Sequence, residues 1–443
     1  MSLPRSSGPA AVRHERSPKY VAGLIALAFA GWALAAYDFN LLVVAIPDIS
    51  KDLGLSATAV GLLGFLVYVA QFVISLAVGA GMDRYGRKRL WQWVLVATAL
   101  FTGLTYFVQD FWQLALVRAL AGGFANAELA VAITLVNEEA GARARGLLYS
   151  IVQGGFPVGV FLASGVYLAF HQFGWRVVFA IGVLPLIVVI VCRRWMRESG
   201  RWEHLNAIRK ARAAGDEDTV ERLLAERPVA VEELDKVSVR QLFAARSGVR
   251  PQLVKLSVTW LCYGTALVAT NVYITYWLTT YGGWSESAAG TLLLVSGGIG
   301  FFFYVLGGWI GERYGRRSVL IASAALTPPL AIAFLLAGDT RWLVAILYFL
   351  LFQTTNGTWS GTGYAYWAES FPTRVRGTAC GWLAAMFSLG NIIGTGLWTL
   401  LIDTLGHVGT WIILAVLISA AQCAMTLTLR RIRPGQELET ITA

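Results

Sequence analysis

Apolar runs long enough to cross a bilayer recur along the chain, each separated from the next by a few polar or charged residues. Runs of roughly twenty residues or more fall near 20–46, 57–80, 90–108, 111–137, 146–170 and 175–193, and again near 255–281, 287–310, 318–337, 341–367, 377–402 and 407–429. They predict an all-α membrane protein of twelve transmembrane helices, six over residues 20–193 and six over 251–429. Residues 194–250 interrupt the pattern with mixed charge. Helix formers from Glu203 to Glu226, broken at Gly215 and Asp216, predict short amphipathic helices in that central loop. Residues 1–19 are rich in Ser, Pro and Arg and lack the apolar run of a cleavable signal peptide. They and residues 430–443 are expected to be cytoplasmic tails.

Composition agrees with the pattern. Of 443 residues, 56% are hydrophobic and 14% charged, and a mean hydropathy of +0.60 is too apolar for a soluble globule. A net charge of +10 would suit a nucleic-acid binder, but the basic residues stand in short loops between apolar runs. Arg84, Arg87, Lys88, Arg89, Arg143, Arg145, Arg313, Arg316, Arg317, Arg374 and Arg376 all fall on one side. That side is expected to be cytoplasmic, with both termini, and no nucleic-acid partner is implied. Cys192, Cys262, Cys380 and Cys423 sit within spans without metal-ligand spacing and read as free thiols. No nucleotide loop, metal cluster or nucleophile and base constellation is present, and His14, His171, His204 and His407 fall in tails or loops. An enzyme is therefore not expected, nor a metal. The partners are the lipid bilayer and a small molecule, for a monomeric protein.

One loop is written twice. Gly79 to Arg89 reads Gly-Ala-Gly-Met-Asp-Arg-Tyr-Gly-Arg-Lys-Arg, and Gly-Trp-Ile-Gly-Glu-Arg-Tyr-Gly-Arg-Arg begins at Gly308. Asp83 is matched by Glu312, Arg84 by Arg313, Gly86 by Gly315 and Arg87 by Arg316. Glu138 precedes Arg143, Arg145 and Gly146 at the spacings by which Glu369 precedes Arg374, Arg376 and Gly377. Glycines permit the sharp reversal between helices, and an acid there can accept from amides at a neighbouring helix N-terminus.

The first copy, Gly-x-x-x-Asp-Arg-x-Gly-Arg-Lys, is similar to the signature loop of the major facilitator superfamily of secondary transporters. The resemblance implies two six-helix bundles related by an axis along the membrane normal, with the substrate site between them near the midplane. It also implies a conformational latch in which Asp83 holds the cytoplasmic side closed in the outward-facing state. Arg84, Arg87, Glu138, Arg143 and Arg145, with Glu312, Arg313, Arg316, Glu369, Arg374 and Arg376 in the second half, would supply its ion pairs. Arg197-Glu198-Ser199-Gly200-Arg201-Trp202 resembles the Pro-Glu-Ser-Pro-Arg-Trp element of sugar and metabolite porters, with Arg197 and Gly200 in place of the prolines.

Asp38, Arg118 and Glu128 are ionisable and lie well away from the span ends. Charge in hydrocarbon is costly and marks a functional position by default. Arg118, Gly122 and Glu128 resemble the helix 4 pattern of metabolite- and sialate-type proton symporters, with Ala125, Asn126 and Ala127 where glycines precede the acid. Asp38, nine residues before Pro47, matches the second acid of that branch's helix 1 motif, and Ala35 stands at the first. With two acids against one base, one carboxylate lacks a cation and can carry a proton; Asp38 is the first choice and Glu128 the alternative. Arg118 either attracts a substrate carboxylate or neutralises one of these acids. Gln153, in the stretch Gln153 to Gly159 with Pro157, resembles the organic-acid and sialate branch in helix 5. Asn271, Gln353, Asn356, Trp359 and Asn391 are further substrate-site candidates, or interhelical hydrogen-bond formers.

These readings predict a proton-coupled symporter of the inner membrane that takes up a small organic acid or related metabolite, with no cofactor beyond the proton as coupling ion. A drug or metabolite exporter, or a sugar porter, is the alternative, and a non-transporting sensor ranks last.

Overall fold

Because a chain inside a bilayer has no water to satisfy its backbone, each apolar run closes its hydrogen bonds within itself as a helix. The computed structural model describes residues 18–139, 151–192, 198, 200–226, 243, 249–371 and 373–432. The first half comprises α1 (Pro18–Asp52), α2 (Ala57–Tyr85), α3 (Arg87–Leu104), α4 (Phe111–Glu139), α5 (Gly155–Phe170) and α6 (Trp175–Cys192). Two short helices follow, α7 (Gly200–Ala214) and α8 (Glu217–Glu226). The second half comprises α9 (Arg250–Leu267), α10 (Ile274–Thr280), α11 (Glu286–Tyr314), α12 (Arg316–Leu336), α13 (Arg341–Phe352), α14 (Gly361–Glu369), α15 (Thr373–Trp411) and α16 (Ile418–Leu427).

Three of the second-half passes are interrupted by π-helical turns, at Val268–Val272 between α9 and α10, at Gln353–Ser360 between α13 and α14, and at Ile412–Leu417 before α16. Among the described residues, eight helical stretches are long and apolar enough to cross a membrane. One of them, 379–427, holds two passes joined at Gly406 (φ 65°, ψ −174°). With α4, α6 and the stretch from α13 to α14, the fold is the twelve-helix one. Helix α1 continues through Pro47 to Asp52, beyond the apolar run that announces it.

The duplicated loop turns at the matching glycine in both copies. Gly86 between α2 and α3 has φ 93°, and Gly315 between α11 and α12 has φ 94°, a left-handed conformation that a β-carbon would strain. Glu198 closes the first of these junctions, accepting from the amides of Arg87 (3.0 Å) and Lys88 (3.1 Å) at the N-terminus of α3, where exposed N–H groups favour an anion. Between the halves, α7 and α8 pack on one another through buried Ile208, Ala211 and Val220. Asp216 caps α8, accepting from the Thr219 amide at 3.0 Å, and the hydroxyl and amide of Thr219 hold its carboxyl below the ordinary range.

Within the first half α1 packs on α4 and α5, and α2 and α3 pack on α4; within the second, α9 packs on α15 and α16. The halves meet along α5 with α11, α2 with α15 and α1 with α10. Their approach is close where α11 lacks side chains: a β-carbon at Gly297 would sit 2.8 Å from the Phe161 nitrogen and the Pro157 carbonyl of α5.

Candidate functional site

The two charges of α1 and α4 find each other. Asp38 is 0% exposed and Arg118 1%. Arg118 donates from Nη2 to Asp38 Oδ2 at 2.9 Å and to the Asp38 carbonyl at 3.0 Å, and from Nη1 to Oδ1 at 3.2 Å. This forked contact is the geometry that distinguishes a guanidinium from a point charge. The Thr102 hydroxyl of α3 lies in reach of both Asp38 Oδ1 and the Thr98 carbonyl. The guanidinium also rests over the Phe179 ring of α6, 4.8 Å from its centroid. Four helices thus enclose one ion pair. In this state Arg118 faces Asp38 inside the first bundle, so of its two expected uses the structure displays charge neutralisation.

Glu128 lies ten residues further along α4, about 15 Å along the axis at the helical rise. It is fully buried and accepts from the Trp91 indole of α3 at 2.7 Å. The two intramembrane acids therefore occupy separate environments at different depths.

In the second half the polar candidates cluster on the π turns. Asn356 donates to Asn271 Oδ1 at 2.7 Å, tying one turn to the other, and Asn271 donates to Thr270 Oγ1 at 3.0 Å. Gln353 donates to the Ser296 carbonyl of α11 at 2.9 Å and Asn391 to the Phe387 carbonyl at 3.0 Å. A π turn displaces carbonyls from the helical ladder; that of Thr355 accepts from Tyr263 at 3.0 Å. Trp359, on the same turn, packs into an aromatic group centred on Trp260, whose ring contacts those of Trp359 (6.0 Å), Tyr263 (5.2 Å), Tyr364 (4.9 Å), Trp367 (4.3 Å) and Phe387 (5.9 Å).

Several buried polar atoms of the candidate residues and of Trp32 have no protein partner: Trp32 Nε1 and Gln153 Nε2 in the first half, and Gln353 Oε1, Trp359 Nε1 and Asn391 Oδ1 in the second. Unsatisfied polar groups are costly in a dry interior, and atoms of this kind suit a site that a polar solute completes. Trp32 escaped the sequence reading, as did Thr102, Trp91 and Phe179. Only the threonines left a trace there, as a pair one helical turn apart in an apolar run.

Among the described residues, the hydrogen bonds and the ion pair that join the halves gather toward one end. Lys51 pairs with Glu286, Thr58 donates to Asp403, Thr275 donates to the Val43 carbonyl, Tyr273 donates to the Gly61 carbonyl at 3.0 Å, and His171 meets Ser287 at 3.3 Å. At the opposite end, Arg316 donates from Nε to Glu369 at 2.7 Å and lies 3.6 Å from Glu312, while Arg313 extends over Trp309. The side chains of Asp83, Arg84, Glu138, Arg374 and Arg376, and Arg143 and Arg145 altogether, lie outside the described residues.

A family model described as Major Facilitator Superfamily matches residues 27–395 and 256–441. The probable 4-methylmuconolactone transporter of Cupriavidus pinatubonensis is 27% identical over 403 residues, 87% of this chain and 86% of that one. The niacin transporter of Acinetobacter baylyi is 26% identical over 376 residues, 82% of this chain and 83% of that one. In fold, the crystal structure of a D-xylose-proton symporter superposes with a TM-score of 0.69 at 18% identity, covering 93% of this chain and 98% of that one.

Proposed function

This chain belongs to the Major Facilitator Superfamily, and from that membership we propose that it is a proton-coupled symporter that imports a small organic acid by alternating access. It is a multi-pass membrane transporter of a small-molecule substrate and not an enzyme. The proton, the acid and the inward direction form the proposal.

The observation that carries it is the buried pair of Asp38 and Arg118. A proton delivered to Asp38 removes the anion from the pair and leaves the guanidinium charge alone in the interior. The packing of α1 on α4 then has two arrangements of different charge, which is the bistable element that alternating access needs. The same helix α1 meets the second half at Val43 and Thr275, so a change at Asp38 reaches the seam. Loss of the proton restores the pair and resets the cycle. The named function of the xylose neighbour, a proton symporter, supports this coupling.

The substrate class rests on the aromatic and amide groups of the second half and on the relatives named for 4-methylmuconolactone and niacin. Both are compact ring compounds, and flat apolar walls with a few fixed polar atoms suit them. The contacts at the Lys51 end make it the closed gate of an inward-facing state. The basic loops opposite mark the cytoplasmic side of the inner membrane, with Asp83 in the latch that closes there in the other half of the cycle.

Uptake into proteoliposomes under an imposed pH gradient tests the proposal, with a panel of ring-bearing carboxylic acids, sugar acids, sialate, neutral sugars and cationic drugs. Acid uptake that rises with an inward proton gradient is expected. Transport of the neutral sugars or the drugs alone overturns the substrate class, and acid uptake indifferent to the gradient overturns the coupling.

A further inference from the structure

Helix α1 touches the second half at two heights. Phe29 meets Phe301 of α11 edge-on, with ring centroids 6.0 Å apart, and nearer the other end the Val43 carbonyl accepts from Thr275 of α10. Trp32 stands three residues after Phe29, on the same helix face, between those two heights. Its ring lies beside Phe156 of α5, at 6.3 Å and 33°, and Gly155 makes room for it: a β-carbon there would come within 3.1 Å of Trp32 Cδ1. Gln153 precedes Phe156 by three residues, just before the Gly154 turn from which α5 starts.

Both residues keep an N–H in reserve. Trp32 Nε1 and Gln153 Nε2 are buried without a protein acceptor. An indole nitrogen only donates, and an ionised carboxylate only accepts, so a carboxylate oxygen brought by the solute meets what the protein lacks at this point. The cation that would ordinarily serve, Arg118, is enclosed with Asp38 and is 1% exposed. Across the seam the unpartnered atoms of Gln353 and Asn391 are carbonyl oxygens, which accept from a hydroxyl or protonated ring nitrogen but repel a carboxylate. The solute is therefore oriented, acid group toward the first half and donor groups toward the second. Phe29, Phe156 and Phe301 flank the acid side with ring faces and edges, which suits a planar ring.

We propose that Trp32 determines specificity for an acid over its neutral analogue, its indole N–H and the Gln153 amide N–H together holding the substrate carboxylate. The assignment rests on the reading of the substrate as a ring-bearing organic acid and adds the residues that recognise its charged group.

Equilibrium binding of radiolabelled nicotinate and nicotinamide to the full-length protein tests it. Trp32→Phe keeps the ring and removes the donor, and it should weaken nicotinate binding about tenfold, the amount typical of a lost hydrogen bond to a charged group, while nicotinamide changes about threefold or less. Gln153→Glu, which sets an anion against the carboxylate, should weaken nicotinate by about a hundredfold and spare nicotinamide. Unchanged nicotinate binding in Trp32→Phe, or an equal loss for both compounds, overturns the role of Trp32 while leaving the substrate class standing. If the unaltered protein binds neither compound, pyridine acids fall as its substrates, and the role of Trp32 toward them with it.

Discussion

The two halves carry the same loop and bury different things. Gly86 and Gly315 share a positive φ to within a degree, each at the turn between two packed helices. In the first half, α1 and α4 enclose Asp38 and Arg118, with Glu128 a few turns away. Among the described residues of the second half the charged ones stand near the ends of their passes, and the interior instead holds π turns, amides and the rings around Trp260. A duplicated scaffold has kept its hinges and divided its interior. A charge pair responds to protons, because adding one destroys its balance. Neutral amides and rings respond to shape and hydrogen-bonding pattern, and do so alike whether or not a proton has arrived. The proposed function thus assigns the coupling ion to the first half and most of the solute to the second.

Replacing Asp38 by Asn breaks that comparison most severely. Uptake driven by a pH gradient should vanish, while substrate counterflow, which moves no net proton, continues; both are measured in the same proteoliposomes. Survival of gradient-driven uptake in Asp38→Asn and its loss in Glu128→Gln would move the proton from α1 to α4.

Arg118→Leu should leave the Asp38 carboxylate buried without its cation, at a cost of about 3–5 kcal/mol. The detergent-solubilised protein should unfold at a visibly lower temperature, and the double variant Asp38→Asn with Arg118→Leu should recover most of the loss. A double variant as unstable as Arg118→Leu alone would show that packing over Phe179, and not charge, is what matters there.

A smaller effect is expected from the second half. Asn271→Ala removes the acceptor of the bond that ties the π turns together, a change of about 1 kcal/mol or roughly fivefold in substrate affinity. The dependence of uptake on the proton gradient should be untouched, and a loss of coupling in this variant would erase the division between the halves.

The smallest effect belongs to the gate. Lys51 is 69% exposed at its side chain and Glu286 24%, and exposed ion pairs contribute about 0.2–1 kcal/mol. Lys51→Gln should therefore shift the accessibility of a reporter cysteine at the seam by about fivefold at most. Exchanging the two residues should restore it.

Much of this was legible before any coordinates. Runs of apolar residues specify helices because a bilayer admits little else, and charge in such runs is rare enough that Asp38, Arg118 and Glu128 announce themselves. The duplicated loop gave away the symmetry, and with it the location of the seam between two bundles. The partner of Arg118 was not legible, since Asp38 and Glu128 are both within the inventory and only the rotation of α1 against α4 selects between them. Nor were the π turns at Asn271 and Asn356, because a shift in backbone hydrogen-bond register leaves no mark in hydropathy. Trp32 shows the reason most plainly. In water, an apolar side chain points to the core, and the pattern tells inside from outside. In lipid, the surroundings are as apolar as the core, so a tryptophan facing the acyl chains, the bundle or the substrate path reads the same, and only the packed helices decide which of the three it meets.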